Sequence, residues 1–440
     1  MKKSLFALAA LGAFAGAAQA QSSVTLYGNL DAPVAYDTAN GLSNTYMGSS
    51  MNTTSLWGLT GSDDMGSGLK IGFDLKSEIN LTNGQTGNAS NSPAVSSTAT
   101  PNPATSSAPT PDLVGQQSQL FNRGANLFVT SKDFGEAKIG RQDDIMWQMN
   151  GTFSTSDSNS FGSNTMNAAM NNVSAIGALN GGYQCAANYQ TTPASTGTCA
   201  IYTLGTGVNA NDVSGTSTAF VTGARYTSPV IAGFKLSLFS SLGNKSNASA
   251  TGFNGYAARG AGLEYTYGPV RLGTAITQRD DGAGFNAVQG ALFGAQYTMD
   301  KLRFTANYQT WSYNSGATSA TSGINGIGSG GAPAYTSTLS QSGLNGWSLG
   351  VNYKTSANTD VSLAYTSMQD NVTSANSATM WGLTGRYNFS KRTQAYAGAG
   401  IVNNSGSAMF SPFYGGQTYS IASYGGQTVT GYLIGLKHSF

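Results

Sequence analysis

The strongest constraint on the fold is a strict alternation of side-chain polarity, clearest in segment 69–81, LKIGFDLKSEINL. Its odd positions are apolar apart from one serine, and its even positions are charged or polar apart from one glycine. Because successive side chains of a β-strand point to opposite faces of the sheet, this segment predicts a strand with one apolar and one charged face. The charged face carries Lys70, Asp74, Lys76 and Glu78.

The same alternation recurs in short runs from residue 24 to the C-terminus. These runs predict about sixteen strands, an even number such as bacterial outer-membrane barrels have. Tight turns between them alternate with long polar loops near 82–119, 142–215 and 312–344. Short turns at one end and long loops at the other are typical of the same architecture.

Alternation alone fits a soluble sandwich with an apolar inside as well as a barrel with an apolar outside. The number of charges separates them, because only 9% of the residues are charged, against roughly 25% in an ordinary soluble domain. A lysine or arginine facing lipid at mid-bilayer costs ~2 to 4 kcal/mol, so the charged face of segment 69–81 should line water. The sequence therefore predicts an all-β protein, a transmembrane antiparallel β-barrel with a water-filled lumen.

The N-terminus has the features of an export signal. Lys2 and Lys3 precede an apolar stretch, and residues 18–20, Ala-Gln-Ala, form a small-x-small cleavage site. We expect residues 1–20 to be a cleaved signal peptide and residues 21–440 to be the barrel domain. Removal of these two lysines reduces the 21 basic residues to 19, the same number as the 19 acidic ones. This balance gives no reason to expect a nucleic-acid partner.

The two cysteines, Cys185 and Cys199, lie in one of the long polar loops. Export favours a disulfide within that loop, and two reduced thiols are the alternative. The single histidine, His438, is far away in sequence, so the chain offers no cluster of metal ligands. We expect no metal and no cofactor.

Several segments together are specific enough to indicate a family, and they span nearly the whole mature chain. With them the chain resembles the general porins of Gram-negative outer membranes, particularly the beta-proteobacterial type. The segments are SSVTLYGNLDA, SLWGLTGSDDMGSGLKIGFDLKSEINL, LFNRGANLFVTSKDFGEAKIGRQ, ARYTSPVIAGFKLSLF and GYLIGLKHSF. The resemblance implies a homotrimer of sixteen-stranded barrels whose third long loop, here starting near Gln142, folds into the lumen and constricts it. It also implies passive diffusion of small hydrophilic solutes and ions across the outer membrane.

The resemblance further implies which residues line the constriction. In this family, basic side chains on the barrel wall face acidic side chains on the constriction loop. The residues that match or share the predicted lumenal face are Arg123, Arg141, Lys70, Lys76, Asp74 and Glu78 on the wall and Asp143, Asp144 and Asp157 on the loop. The loop tip SDSNSFGSN departs from the family pattern because it has one acid and no second glycine after Phe-Gly. We therefore expect a weak anion preference.

The last strand ends in Phe440. The resemblance implies that this residue is an assembly signal for the outer-membrane insertion machinery. An ordinary closing strand that ends in phenylalanine is the alternative.

Two other functions are weighed against a general porin. A serine hydrolase needs a histidine base with an orienting partner, and His438 stands alone at the extreme C-terminus, so we expect no enzymatic activity. A substrate-specific diffusion channel remains the alternative, because its specificity would lie in the loops that depart from the family.

Overall fold

The computed structural model describes residues 23–84, 86, 120–155, 158–162, 220–241, 257–280, 286–313, 342–370, 377–406, 408, 410–413 and 426–440. The expected signal peptide, Asp157, Cys185 and Cys199 lie outside the described residues. Within these ranges, no helix is long and apolar enough to cross a membrane.

Almost all of the described chain is β-strand, arranged in one antiparallel sheet. The strands are β1 Ser23–Ala39, β2 Leu42–Met47, β3 Leu56–Asp64, β4 Leu69–Glu78, β5 Gly124–Ser131, β6 Gly135–Asp143, β7 Phe220–Thr227, β8 Phe234–Ser240, β9 Ala258–Tyr267, β10 Val270–Asp280, β11 Asn286–Met299, β12 Leu302–Tyr313, β13 Ser342–Lys354, β14 Thr359–Asp370, β15 Ser377–Asn388, β16 Thr393–Ser405 and β17 Thr428–Ser439. Among the described residues, a helix, α1, spans Ile145–Thr152 in the connection between β6 and β7.

The sheet closes on itself because β1 pairs with β17. On its other side, β1 pairs with β2 along residues 34–39 and with β3 along residues 23–29. Strands β2 and β3 therefore share one position, and the labelled strands form a closed barrel of 16 strands. The prediction of an all-β barrel with about sixteen strands is confirmed. Between β2 and β3, segment 48–55 leaves the wall.

The outer surface of the barrel is apolar along both the first and the last strands. Leu26 on β1 and Ile434 on β17 are 57% and 65% exposed. On the predicted strand 69–81, Leu69 and Ile71 also face outward and are exposed, as the alternation predicted. Polar side chains such as Gln309 are buried on the inside instead. This inverted distribution suits a barrel with lipid outside and water inside.

Aromatic side chains form two bands on the outer surface. Near the short turns, the exposed rings include Tyr267, Tyr353, Tyr387 and Phe389, four of the residues on the predicted apolar faces. A second band, farther along the strands, includes three adjacent rings with centroid separations of 5.1 and 4.7 Å. Its members are Trp347, Tyr365 and Trp381. Two aromatic bands mark the two membrane interfaces of a β-barrel.

A lysine on the outer face is expected to destabilise the barrel. Leu127, in the middle of β5, is 65% exposed on that face. Leu127→Lys should lower the free energy of unfolding in lipid by ~2 to 4 kcal/mol, because the ammonium must enter hydrocarbon. Urea unfolding in vesicles measures the change. The matched control is Thr130→Lys, which faces the lumen between Lys70 and Glu136; equal losses in both variants would contradict the assigned faces.

Candidate functional site

The connection after β6 enters the lumen and begins with a capped helix. Asp144 is the N-cap of α1, and its carboxylate accepts hydrogen bonds from the Met146 N–H at 2.7 Å and the Thr277 hydroxyl at 3.2 Å. A capping carboxylate satisfies a helix N–H that lacks an intrahelical partner. Because Thr277 lies on β10, the same contact fixes the start of α1 to the wall. Asp144 is thereby buried and does not line the open lumen, contrary to the expectation from sequence.

The buried face of α1 packs against glycines of the barrel wall. The Phe153 ring, which follows α1, covers Gly273 on β10 and Gly294 on β11. A Cβ atom at Gly294 would lie 2.2 Å from Phe153 Cδ2, and one at Gly273 would lie 2.4 Å from Cε2. Ile145 occupies the equivalent space over Gly262 on β9. The absence of side chains at these glycines allows the loop to approach the wall closely.

Polar contacts continue the docking along the next strands. The Thr155 and Thr305 hydroxyls are 2.8 Å apart, and the Arg303 guanidinium donates to the Thr155 carbonyl oxygen at 2.8 Å. The Asn150 side-chain oxygen accepts hydrogen bonds from the Asn307 and Gln309 amides at 2.9 and 2.7 Å. Thr155 also lies against Gly350 of β13, so the loop follows the inner wall from β10 to β13.

The loop tip docks on segment 48–55, the stretch between β2 and β3. The Asn159 N–H donates to the Asn52 carbonyl oxygen at 2.8 Å, and the Ser160 hydroxyl donates to the Met51 carbonyl oxygen at 2.7 Å. Phe161 is fully buried, with its ring against Gly398 and Gly400 of β16 and its backbone against Gly382 of β15. With its start at β10 and its tip here, the loop lines a large arc of the lumen.

Segment 48–55 is held in turn by Asp31 of β1. The Asp31 carboxylate is fully buried and accepts hydrogen bonds from the N–H groups of Asn52 at 2.7 Å and Thr53 at 3.1 Å. The Tyr396 hydroxyl of β16 donates to its other oxygen. In the sequence, Asp31 alternates with the apolar Leu30 and Ala32. This alternation carries no signal of its role, because its partners come from distant parts of the chain.

An opening lies between the loop and the wall near β4 and β5. Lys76 of β4 and Arg123, just before β5, line it from the wall. Trp147 and Gly151 of α1 line it from the loop side, whereas Asp143, expected on the loop, is the last residue of β6 and lines it from the wall. We refer to this opening, between the wall that bears Lys76 and the face of α1 that bears Trp147, as the gap.

The charges around the gap are largely balanced on the wall itself. Lys76 Nζ is 3.8 Å from an Asp74 oxygen and 4.0 Å from an Asp143 oxygen. Arg123 Nη2 and Nε are each 3.0 Å from Glu78 Oε2. Asp143 approaches Lys76 from the end of β6, and Asp74 and Glu78 lie on β4, so all three acids act from the wall.

Two predicted members of the basic wall lie elsewhere. Arg141 Nε donates to the Asn122 carbonyl oxygen, which ties the end of β6 to the turn before β5. Gly140, the residue before Arg141, has a φ of +125°, a conformation that side chains rarely adopt. Lys70 is exposed near the short turn between β3 and β4. Neither residue lines the gap.

Two residues of the site carried no signal in the sequence. Arg225 of β7 is buried, and its Nη1 donates to the Asp143 carbonyl oxygen at 3.1 Å and to Gln148 Oε1 at 3.0 Å. It thus holds the start of the loop. Trp147 belongs to a helix that lies inside a loop expected only to be polar and constricting.

Comparison with known proteins gives a family and related folds. A family model described as Gram-negative porin matches residues 7–407. Outer membrane porin protein 32 of Delftia acidovorans is 54% identical over 92 residues, which is 20% of this chain and 25% of the relative. A second outer membrane porin protein, from Bordetella pertussis, is 32% identical over 160 residues, 33% of this chain and 34% of the relative. The aligned segments thus span about a quarter and a third of these relatives.

Two solved structures share the fold at low sequence identity. The anion-selective porin from Comamonas acidovorans superposes with a TM-score of 0.63 at 19% identity, covering 96% of this chain and 100% of that one. OmpT of Vibrio cholerae in its trimer form superposes with a TM-score of 0.52 at 12% identity, covering 95% and 99%.

Proposed function

We propose, since this chain belongs to the Gram-negative porin family, that it forms a water-filled channel in the Gram-negative outer membrane. Small hydrophilic solutes and ions diffuse through it down their gradients. The observation that carries this proposal is the gap: an opening lined by charged and polar side chains, inside a closed barrel whose outer surface is apolar. The channel family supports a role without enzymatic activity.

The gap selects solutes by how they replace water. Charged groups in its lining orient water molecules, so an apolar solute must displace well-bound water. A small polar solute replaces those hydrogen bonds with its own. The cations Lys76 and Arg123 and the acid Asp143, all on the wall side of the gap, provide such groups. No covalent bond is made or broken during passage.

We propose a weak anion preference from the side chains that line the gap. Lys76 and Arg123 line the gap with Asp143, which leaves an excess of positive charge on its surface. Asp74 and Glu78 contact the same two cations, so the five groups together carry a net charge of −1, and the positive excess is confined to the side chains that line the gap. The anion-selective porin from Comamonas acidovorans has the same fold. Rings of charge bias which ions enter a pore, and here the bias is small.

Assembly follows from the same family. We propose a homotrimer, which the family resemblance and the trimer form of OmpT support. Phe440 is proposed as the signal for the assembly machinery. Its N–H donates to the Gly28 carbonyl oxygen at 3.0 Å and its carbonyl accepts from the Gly28 N–H at 3.2 Å, so the last residue is part of the wall.

Liposome swelling tests the proposed function. Liposomes containing the refolded mature protein should swell in isotonic solutions of small sugars, and the rate should fall as the sugar becomes larger, because the gap limits passage. Protein-free liposomes are the control. Swelling no faster than this control would contradict the channel, and swelling with one solute class alone would favour the substrate-specific alternative.

A further inference from the structure

We propose that three wall residues outside the gap, Lys235, Glu264 and Arg271, are a second determinant of the charge preference of the channel. We refer to these three residues as the lumenal triad. They lie on the lumenal face of β8, β9 and β10, between the loop and the short turns. This inference rests on the proposed function, because a preference between ions requires an open channel.

The strand register places the lumenal triad inside the barrel. Gly273 of β10 is lumenal, because the Phe153 ring of the loop covers it. Glu264 lies directly opposite Gly273, and Lys235 lies directly opposite Glu264. Arg271 precedes Gly273 by two residues on β10 and therefore points to the same face. It is one residue from the start of β10, so the lumenal triad lies on the short-turn side of the loop.

Two cations of the lumenal triad contact one carboxylate. Lys235 Nζ is 2.5 Å from Glu264 Oε1. Arg271 Nε donates to Glu264 Oε2 at 3.1 Å, and Arg271 Nη2 contacts the same oxygen. Each carboxylate oxygen thus has a cationic partner. The carboxylate neutralises one of the two positive charges, and the lumenal triad carries a net charge of +1.

The excess charge faces lumenal water. The side chains of Lys235 and Arg271 are 34% and 35% exposed, whereas that of Glu264 is 13% exposed. The cations are therefore more accessible to a passing ion than the carboxylate that holds them. On the same side of the loop, Lys138 and Glu136 of β6 form a balanced pair at 3.3 Å, which leaves this excess unchanged.

The position of this charge gives it a role that the gap cannot supply by itself. The five charged groups at the gap have a net charge of −1. A fixed positive charge in a narrow aqueous passage raises the local concentration of anions and lowers that of cations. The lumenal triad should thus favour anions at the inner end of the passage, where an ion has left the gap or has yet to enter it.

Reversal potentials of the refolded mature protein in planar bilayers test this inference. Lys235→Gln and Arg271→Gln should each lower the anion-to-cation permeability ratio about twofold at about 0.1 M KCl, as expected for one unit charge acting through ~8 Å of screened water. Lys235→Arg and Arg271→Lys are the matched controls. They keep the charge and should leave the ratio unchanged.

A third variant changes the charge in the opposite direction. Glu264→Gln removes the carboxylate of the lumenal triad and should raise the permeability ratio about twofold under the same conditions. All of these shifts should shrink at about 1 M KCl, where the Debye length is only ~3 Å. A purely structural role would not give shifts of opposite sign for the cations and the acid.

The outcomes separate this inference from the proposed function. A channel that conducts KCl with the same permeability ratio in the wild type, Lys235→Gln and Arg271→Gln contradicts this inference alone. Equal shifts in Lys235→Gln and Lys235→Arg, or a shift of Glu264→Gln in the same direction as Arg271→Gln, would also overturn it. A wild-type protein that does not conduct contradicts the proposed function as well.

Discussion

Asp31→Ala is expected to lower the free energy of unfolding by on the order of 3 kcal/mol or more. The substitution leaves the N–H groups of Asn52 and Thr53 and the Tyr396 hydroxyl without their buried acceptor, and each buried unsatisfied group costs ~1 to 3 kcal/mol. Segment 48–55 should then move, and with it the docking point of Asn159 at the loop tip. Urea unfolding measures the stability, and single-channel recording should show a larger and noisier conductance.

Two further variants test whether the effect is specific to the buried carboxylate of Asp31. Asp31→Asn keeps the size of the side chain and one acceptor oxygen, so it should lose less stability than the alanine variant. Asp133→Ala removes a carboxylate from an exposed turn and should change neither stability nor conductance. Wild-type stability and wild-type noise in Asp31→Ala would show that Asp31 does not hold segment 48–55.

Phe153→Ala is expected to release the constriction loop from the wall. The ring is buried to 1% exposure over Gly273 and Gly294, and truncation of a buried phenylalanine costs about 3 to 5 kcal/mol. Because this contact joins the loop to the wall, much of the loss should fall on loop docking. Single-channel conductance should rise, and larger sugars should enter liposomes that exclude them with the wild type.

The wall side of the same contact offers an independent variant. Gly294→Leu places a side chain where the Phe153 ring lies and should increase conductance as Phe153→Ala does. The control is Leu349→Ala on the outer face of the barrel, which does not touch the loop. An unchanged conductance in both Phe153→Ala and Gly294→Leu would mean that this contact does not set the width of the gap.

The barrel could be predicted from the sequence because lipid and water impose opposite demands on neighbouring residues of each strand. On β4, Ile71 faces lipid, whereas Lys70 and Lys76 face the lumen. This alternation can be recognised in the sequence without knowledge of any long-range contact. Because the chain has few charged residues, the apolar face was predicted to lie on the outside of the barrel. The number of labelled strands exceeds the number of strand positions only because segment 48–55 separates β2 from β3, which share one position.

The arrangement of the gap could be predicted only in part. Lys76, Arg123 and Asp143 do line it, whereas Asp144 became a buried helix cap. The role of Asp144 depends on where α1 starts. The helix is stabilised by wall glycines that are distant in sequence. The role of Arg225 could not be predicted either, because it contacts the loop from β7, which is distant in sequence. Contacts made across the lumen leave no periodic pattern in the chain.

The most direct test of the central claim is the single-channel conductance of the refolded mature protein in a planar bilayer, with its reversal potential under a KCl gradient. We predict discrete, nonsaturating steps in groups of three and a small reversal potential of the sign for anions, because the gap is open and its charges are nearly balanced. The absence of discrete steps, or steps that appear only when one particular solute is added, would contradict an open, constricted pore.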